Sequence, residues 1–357
     1  MVLTRRAQME ISQWLPNEIL VHIIQYSRNA DQATLARVST LFRDLCLPVL
    51  YRVVKIKGPR GIASFCSAIR ENPPRADAVR SFTLDAPKTR DSESCSDISL
   101  APLKLMLKLN HLSISRLDSP TCVALEDCNF PELISCDIRV RAIDARFCDP
   151  VARFLARHPT LKRLHLNSSM SSVGRVTLPN LEFYEGGAGF ILALDAISLK
   201  EVYLAWFSND NAEKIIIGLS SITQPDFPVI SSHTSGSWGG LRQIVTSLSK
   251  HMRHIKTLRL YCLRDSFGQD TIRHITESLP RFTGLLYLEV GSFGHVRMLM
   301  SGASDEDRMA AEAWGEACPT LEACGLNKRA WRKIDGRLQE FPIKEFKILA
   351  GLSKLGS

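Results

Sequence analysis

A six-residue pattern with apolar residues at its first, fourth and sixth positions recurs along most of this chain. Matches and near matches begin at Val79, Leu109, Leu133, Leu161, Leu199, Ile255, Leu285 and Leu321, and a shorter version spans Leu181–Tyr184. Alternation of apolar and polar residues is typical of a strand with one buried face. Successive starts lie 18 to 56 residues apart, which indicates an irregular internal repeat. The longest interval leaves room for one more strand, near Phe227–Ile230.

Amphipathic, helix-like segments precede several of these strands. They are Ile62–Arg70, Val151–Arg157, Leu241–His251, Thr271–Ser278 and Met309–Cys318. Three of the strands follow a short turn that contains Pro159, Pro280 or Pro319. Proline ends a helix because it has no N–H to donate. The sequence therefore predicts a unit of helix, turn, strand and loop, which must stack on its neighbours to bury its leucines. The alternative is a non-repeat α/β domain.

Three segments interrupt this rhythm: Ala86–Ser99, Gln224–Gly240 and Gly302–Asp307, the last an acidic loop predicted to start a helix. Ala86–Ser99 is polar and is predicted to be an exposed loop, and Gln224–Gly240 is rich in Pro, Ser and Gly, which favours a crossover or a mobile loop. Glu185–Phe190 is rich in glycine and is predicted to form a turn. Ala330–Pro342 is predicted to cap the end of the repeats, with Trp331 covering the last one.

The first fifty residues have a different pattern, which predicts three short helices. Pro16 suits the first turn of a helix, and Asp31 and Ser39 are good N-caps for the second and third helices. Pro48 is expected to end the third helix, and Val53–Lys57 alternates like a strand. So small a helical unit cannot bury all its apolar side chains internally, which indicates a partner or a neighbouring domain.

This segment resembles the F-box family. The shared motifs are Leu15-Pro16-x-Glu18-Ile19-Leu20, Ile23-Ile24, Leu35-x-x-Val38, Phe42-Arg43-x-Leu45 and Pro48-x-Leu50-Tyr51. The resemblance implies docking on a Skp-type adaptor through the following residues: Leu15, Pro16, Ile19, Leu20, Ile23, Leu35, Val38 and Phe42. Phe42 stands where many family members have Trp. The alternative is that these residues are only the core of a helical N-terminal subdomain.

The remainder resembles fungal F-box proteins with degenerate leucine-rich repeats. The resemblance implies an α/β fold, in which a three-helix F-box at 11–57 precedes a leucine-rich-repeat-like solenoid at 58–345 and a C-terminal tail at 346–357. It also implies that the chain is a non-catalytic substrate receptor of an SCF-type cullin–RING ubiquitin ligase.

Target contacts are predicted at variable strand positions between the leucines. These are Thr83, Asn110, Ser113, His165, Tyr203, Trp206, Arg259, Tyr261, Tyr287 and Glu289. A shift of one residue in the strand register would exchange the exposed and buried faces. The alternative functions are a non-degradative interaction scaffold, and a repeat protein that recognises nucleic acid or another effector.

Charge and motifs argue against several other classes. The net charge is +8, with eight basic and four acidic residues in 1–58 and eight basic and three acidic residues in 328–357. A nucleic-acid binder is expected to carry its basic residues along its main domain, so this distribution argues against nucleic acid. Nucleophile-elbow, P-loop and H-E-x-x-H motifs are absent from the sequence, so we expect no cofactor or metal.

The cysteines and the N-terminus indicate the compartment. Ten cysteines form no C-x-x-C pair and are predicted to be buried, reduced thiols. No run of 18 apolar residues occurs, and the N-terminus lacks the apolar stretch of a secretory signal. We therefore expect a cytoplasmic or nuclear protein.

Overall fold

The computed structural model describes residues 15–85, 101–117, 119–140, 148–167, 174–224, 228–264, 268–292 and 303–352. The chain divides into two compact units, Met1–Arg141 and Ala142–Ser357. The predicted loop at Ala86–Ser99 lies outside the described residues. The fold class is mixed α/β, with helices at the start of the described chain, as predicted.

Three short helices open the first unit: α1 (Asn17–Tyr26), α2 (Asn29–Leu35) and α3 (Thr40–Leu50). Ser39 caps α3 as predicted, because its hydroxyl accepts a hydrogen bond from the backbone N–H of Phe42. Asp31 was predicted to be the N-cap of α2, but α2 begins at Asn29 and Asp31 lies within its first turn. Pro48 does not end α3 but lies within its last turn.

The rest of the first unit is a parallel sheet with its helices. The strands are β1 (Val53–Lys57), β2 (Ser81–Asp85), β3 (His111–Leu117) and β4 (Ser135–Val140), paired in chain order. Helix α4 (Gly58–Glu71) follows β1, and α5 (Ser119–Glu126) precedes β4. Two 3-10 helices, Pro73–Ala78 and Ala101–Leu105, precede β2 and β3.

The second unit continues this alternation of helices and strands. Its helices are α6 (Cys148–Ala156), α7 (Ala212–Ile222), α8 (Trp238–His251), α9 (Gln269–Ser278), α10 (Ala303–Ala317) and α11 (Ile343–Leu349). Its strands are β5 (Arg163–Asn167), β6 (Val176–Thr177), β7 (Phe183–Gly187), β8 (Leu194–Asp195), β9 (Glu201–Trp206), β10 (Val229–Ser235), β11 (Ile255–Cys262), β12 (Tyr287–Ser292), β13 (Ala323–Leu326), β14 (Arg329–Ile334) and β15 (Arg337–Phe341). Two 3-10 helices, Ala188–Leu192 and Leu279–Arg281, complete the described elements.

Strand order in the second unit follows chain order. Parallel pairing runs through β5, β7, β9, β10, β11, β12 and β13, and the hairpin β14–β15 then adds antiparallel to β13. The short strands β6 and β8 pair with each other in a separate sheet. The antiparallel hairpin occupies the segment predicted as a cap, and Trp331 within it is 1% exposed.

The strands predicted from the six-residue pattern are confirmed in position. In every full match except the one at Ile255, the first apolar residue lies two residues before the strand. These leading residues are 0–1% exposed. Helices α5, α7 and α11 were not predicted.

Two predictions for the glycine- and serine-rich segments are wrong. Glu185–Gly187 belongs to strand β7 rather than to a turn. A Cβ at Gly186 would collide with the carbonyl oxygen of Leu166 on β5, so glycine there permits close strand approach. Most of Gln224–Gly240 is strand β10 and the start of α8, which confirms the further strand expected near Phe227–Ile230.

The C-terminus also differs from the sequence prediction. A tail was predicted from residue 346, whereas Phe346, Ala350 and Leu352 are 0–2% exposed. The packed part of the chain therefore extends at least to Leu352.

Seven cysteines (Cys46, Cys66, Cys128, Cys136, Cys262, Cys318 and Cys324) are buried thiols, as predicted. None of the helices in the described ranges is long and apolar enough to cross a membrane.

Candidate functional sites

The inner side of helix α1 holds the three N-terminal helices together. Leu20 and Ile24 are 5% and 1% exposed and lie one turn apart. Gln32 of α2 is also buried, and its side-chain amide donates to the backbone oxygens of Ile24 and Ser27 at 2.8 and 2.9 Å. These bonds satisfy carbonyls at the C-terminal end of α1, where helix carbonyls lack partners within the helix. Leu20 is therefore an internal core residue.

The outer side of the same helices is apolar and exposed. Leu15, Ile19 and Ile23 are 37%, 46% and 52% exposed, and Val38 after α2 is 45% exposed. Ile19 and Ile23 are four residues apart, so they share one side of α1, and Leu15 lies two residues before this helix begins. We call Leu15, Ile19, Ile23 and Val38 the helix surface. Exposed clusters of large apolar side chains mark interaction sites.

The remaining predicted adaptor-contact residues differ in exposure. Pro16 is exposed, and Leu35 and Phe42 are half-buried. Of the eight predicted residues, Leu20 is the one that the fold buries fully, because it faces the other two helices.

An F-box-like family model matches residues 13–57. The matched segment contains α1–α3 and β1, and it includes every residue of the helix surface. It agrees with the motifs found in the sequence, and it covers about an eighth of the chain. No curated protein matches the chain.

The strand register of the second unit aligns a row of polar side chains. His165, Glu185, Tyr203, Ser232, Arg259 and Glu289 are paired across β5, β7, β9, β10, β11 and β12. Because side chains alternate along a strand, Arg163, Tyr261 and Tyr287, two residues away on their strands, share this side of the sheet. We call this side the strand face. The leucines of the six-residue pattern occupy the opposite side and are buried.

The first half of the strand face is a network of charged and aromatic groups. His165 Nδ1 lies 3.0 Å from Glu185 Oε2, and the guanidinium of Arg163 lies 4.0 Å from the ring centroid of Phe183. Phe183 also stacks against Tyr203 with a centroid separation of 5.3 Å. Burial raises the pKa of Tyr203 to about 12, so its hydroxyl stays protonated and can donate a hydrogen bond.

The second half is centred on a buried ion pair. Arg259 Nε lies 2.9 Å from Glu289 Oε2, with side chains 16% and 5% exposed. The hydroxyl of Tyr261 donates to Glu289 Oε1 at 2.9 Å, and the Arg259 guanidinium lies 4.1 Å from the Tyr261 ring centroid. Burial, and then the negative charge of Glu289, raise the pKa of Tyr261. These contacts fix the orientation of all three side chains.

Four predicted target contacts are largely buried: Glu289, Tyr203, Trp206 and Tyr287 are 4%, 7%, 8% and 9% exposed. Trp206 lies in the row of buried side chains, and its indole N–H donates to Nδ1 of His233 at 3.1 Å. The structure therefore does not support Trp206 as a target contact. Tyr287 is on the strand face, and its hydroxyl donates to Glu322 at 2.9 Å.

Three predicted target contacts belong to the first unit. Thr83 and Ser113 are paired in register, and the hydroxyl of Ser113 donates to Asp137 at 3.2 Å. Asn110 precedes β3, and its amide donates to the backbone oxygen of Glu132 at 3.0 Å. All three are half-buried.

Sequence reasoning missed Arg163, Phe183 and Glu185 on the strand face. Leu181 begins the shortened form of the pattern, and Phe183 and Glu185 follow it by two and four residues. Arg163 and His165 follow Leu161 by the same two and four residues. That equal offset was the available signal. Within the described ranges, no three His, Cys, Asp or Glu side chains are grouped as a metal site requires.

Proposed function

We propose that this chain is the substrate-receptor subunit of an SCF-type cullin–RING ubiquitin ligase, acting in the cytoplasm or nucleus. The helix surface docks on a Skp-type adaptor, and the strand face holds a target protein. The ligase then transfers ubiquitin to a lysine of that target. The chain supplies proximity and orientation rather than a catalytic group.

The single observation that carries this proposal is the F-box-like match over a segment with an outward apolar stripe. If the motif residues were only a core, the isoleucines at 19 and 23 would be buried along with Leu20 and Ile24. Instead they are about half exposed. Burial of such a stripe by a partner is the main favourable contribution to most protein associations.

We further propose that the helix–strand units are degenerate leucine-rich repeats stacked as a solenoid. Strand order that follows chain order, and the leading apolar residue buried before each strand, support this. The polar and aromatic strand face then serves as the target-binding side. Its fixed side chains, such as Arg259 held by Glu289, favour recognition because little side-chain entropy is lost on binding.

Co-purification with a Skp-type adaptor tests the docking half of the proposal. We expect the wild-type chain to form a one-to-one complex, and we expect the Leu15→Ala/Pro16→Ala variant to form it more weakly. Absence of a complex with the folded wild type would refute the F-box function.

Cullin dependence tests the receptor half. We expect a protein captured with the chain to be ubiquitinated and to turn over only when an active cullin is present. Stable capture without cullin-dependent turnover would instead identify a non-degradative scaffold.

A further inference from the structure

The C-terminal residues of the second unit lie on the strand face. Helix α11 ends in the glycine turn at Gly351, whose φ is +74°, and Leu352 N–H then donates to the carbonyl of Lys347 at 2.7 Å. This Schellman arrangement stops the helix and turns the chain back. We call residues 343–352 the C-terminal segment.

The C-terminal segment covers one row of the strand face. The row consists of Ile230, Thr257, Tyr287 and Ala323, which are paired across β10, β11, β12 and β13. Phe346, Ala350 and Leu352 of the segment form one apolar cluster with Tyr287 and Ala323. Part of the face that should bind a target is thus already occupied by the chain itself.

Specific contacts fix the segment across the strands. The hydroxyl of Thr257, itself 1% exposed, donates to the carbonyl oxygen of Ala350 at 3.1 Å. At Gly351, an added Cβ would lie 2.9 Å from a methyl carbon of Ile230, and at Gly325 one would lie 3.2 Å from the Phe346 ring. Small residues on both sides therefore allow close approach, as in a peptide bound in a groove.

The C-terminal segment is held in a way that favours its displacement from the strand face by another peptide. Its helix has only seven residues, too few to be stable by itself in water. The outward side chains of Ile348 and Leu349 are 67% and 40% exposed, so the attachment depends on one side of the segment. Such short, one-sided elements open locally at lower cost than the strands beneath them.

We propose that the strand face over β10–β13 is a peptide-docking site that the C-terminal segment occupies in cis, and that a target segment competes for it. The target would present an aromatic residue, a small residue four positions later and an aliphatic residue two positions after that. This is the spacing of Phe346, Ala350 and Leu352, and the small residue's carbonyl would accept from Thr257. The inference rests on the proposed target-binding role of the strand face.

The test is a binding titration with a labelled peptide of residues 343–357. The full chain carrying Phe346→Ala weakens the tethered copy, so we expect the wild-type peptide to bind it at least about tenfold more tightly than it binds the wild-type chain. A peptide that itself carries Phe346→Ala is the matched control and should bind neither chain measurably. Adding Thr257→Val to the Phe346→Ala chain should weaken peptide binding by about fivefold, the effect of one lost hydrogen bond.

Hydrogen exchange of the same full-length chains accompanies the titration. We expect amides of the C-terminal segment to exchange faster in Phe346→Ala while those of β5–β9 stay protected. If Phe346→Ala does not fold, Leu352→Ala replaces it. A released segment with no peptide binding would overturn the proposal, and so would a segment that stays as protected as β11 in both variants.

Adaptor binding by Phe346→Ala separates this proposal from the F-box function. We expect it to be unchanged, because the helix surface and the segment are different parts of the chain. Loss of adaptor binding by all chains, with peptide binding intact, would refute the F-box function alone.

Discussion

The double variant Ile19→Ala/Ile23→Ala should weaken adaptor binding without unfolding the chain. The two side chains are 46% and 52% exposed, so about half of each remains to be buried by a partner. Full burial of an isoleucine contributes about 2 kcal/mol, and replacing both half-exposed side chains by alanine should therefore cost about 2 kcal/mol. Since 1.4 kcal/mol corresponds to a tenfold change in Kd, binding should fall about 30-fold.

The assay is titration of the purified chain with a Skp-type adaptor, with thermal unfolding measured in parallel. Ile217→Ala is a matched control, because Ile217 is 47% exposed but lies in the second unit; we expect no change in Kd. Leu20→Ala should instead lower the free energy of unfolding by about 3 kcal/mol, because it removes a buried side chain. Adaptor binding by the double variant within twofold of wild type would refute the reasoning about the helix surface.

Three further predictions concern stability. Burial lowers the pKa of His233 to about 3 from its ordinary 6.5, so below pH 6.5 the unfolded chain takes up a proton that the folded chain does not. Denaturant titration should therefore show a free energy of unfolding lower by about 2 kcal/mol at pH 5 than at neutral pH. A chain carrying His233→Gln should lack this decrease. Glu289→Ala leaves Arg259 buried without its ion partner and should destabilise the second unit by about 3 kcal/mol in the same assay; an unchanged unfolding midpoint would contradict this. Ser39→Ala removes the cap of α3 and should lower the free energy of unfolding by about 1 kcal/mol, whereas Ser220→Ala, in a serine bonded within its own helix, should have a smaller effect.

Local sequence was sufficient to predict most of the secondary structure. The six-residue pattern predicted the parallel strands because burial on one side of a sheet imposes a two-residue period. Proline turns marked where helices end, since proline cannot continue them. Pro48 shows the limit of that signal: it removes one backbone hydrogen bond, yet α3 continues through it to Leu50.

Tertiary contacts decided which side chains are available for binding. Leu20 and Ile19 are neighbours within one F-box motif, yet Leu20 is buried and Ile19 is 46% exposed. The apolar character of both residues is visible in the sequence, whereas their burial depends on where α2 and α3 pack. Trp206 illustrates the same point, because its place beside His233 depends on the register between β9 and β10.

An F-box-like helical segment at 13–57, followed by alternating helices and strands, could be predicted from the sequence alone. Those features follow from local periodicity, capping and turn residues. Only the tertiary structure aligned His165, Glu185 and Arg259 in one row and laid Phe346 over the same face. The physical reason is that strand register and chain return are fixed by contacts between residues far apart in sequence, which local patterns do not encode.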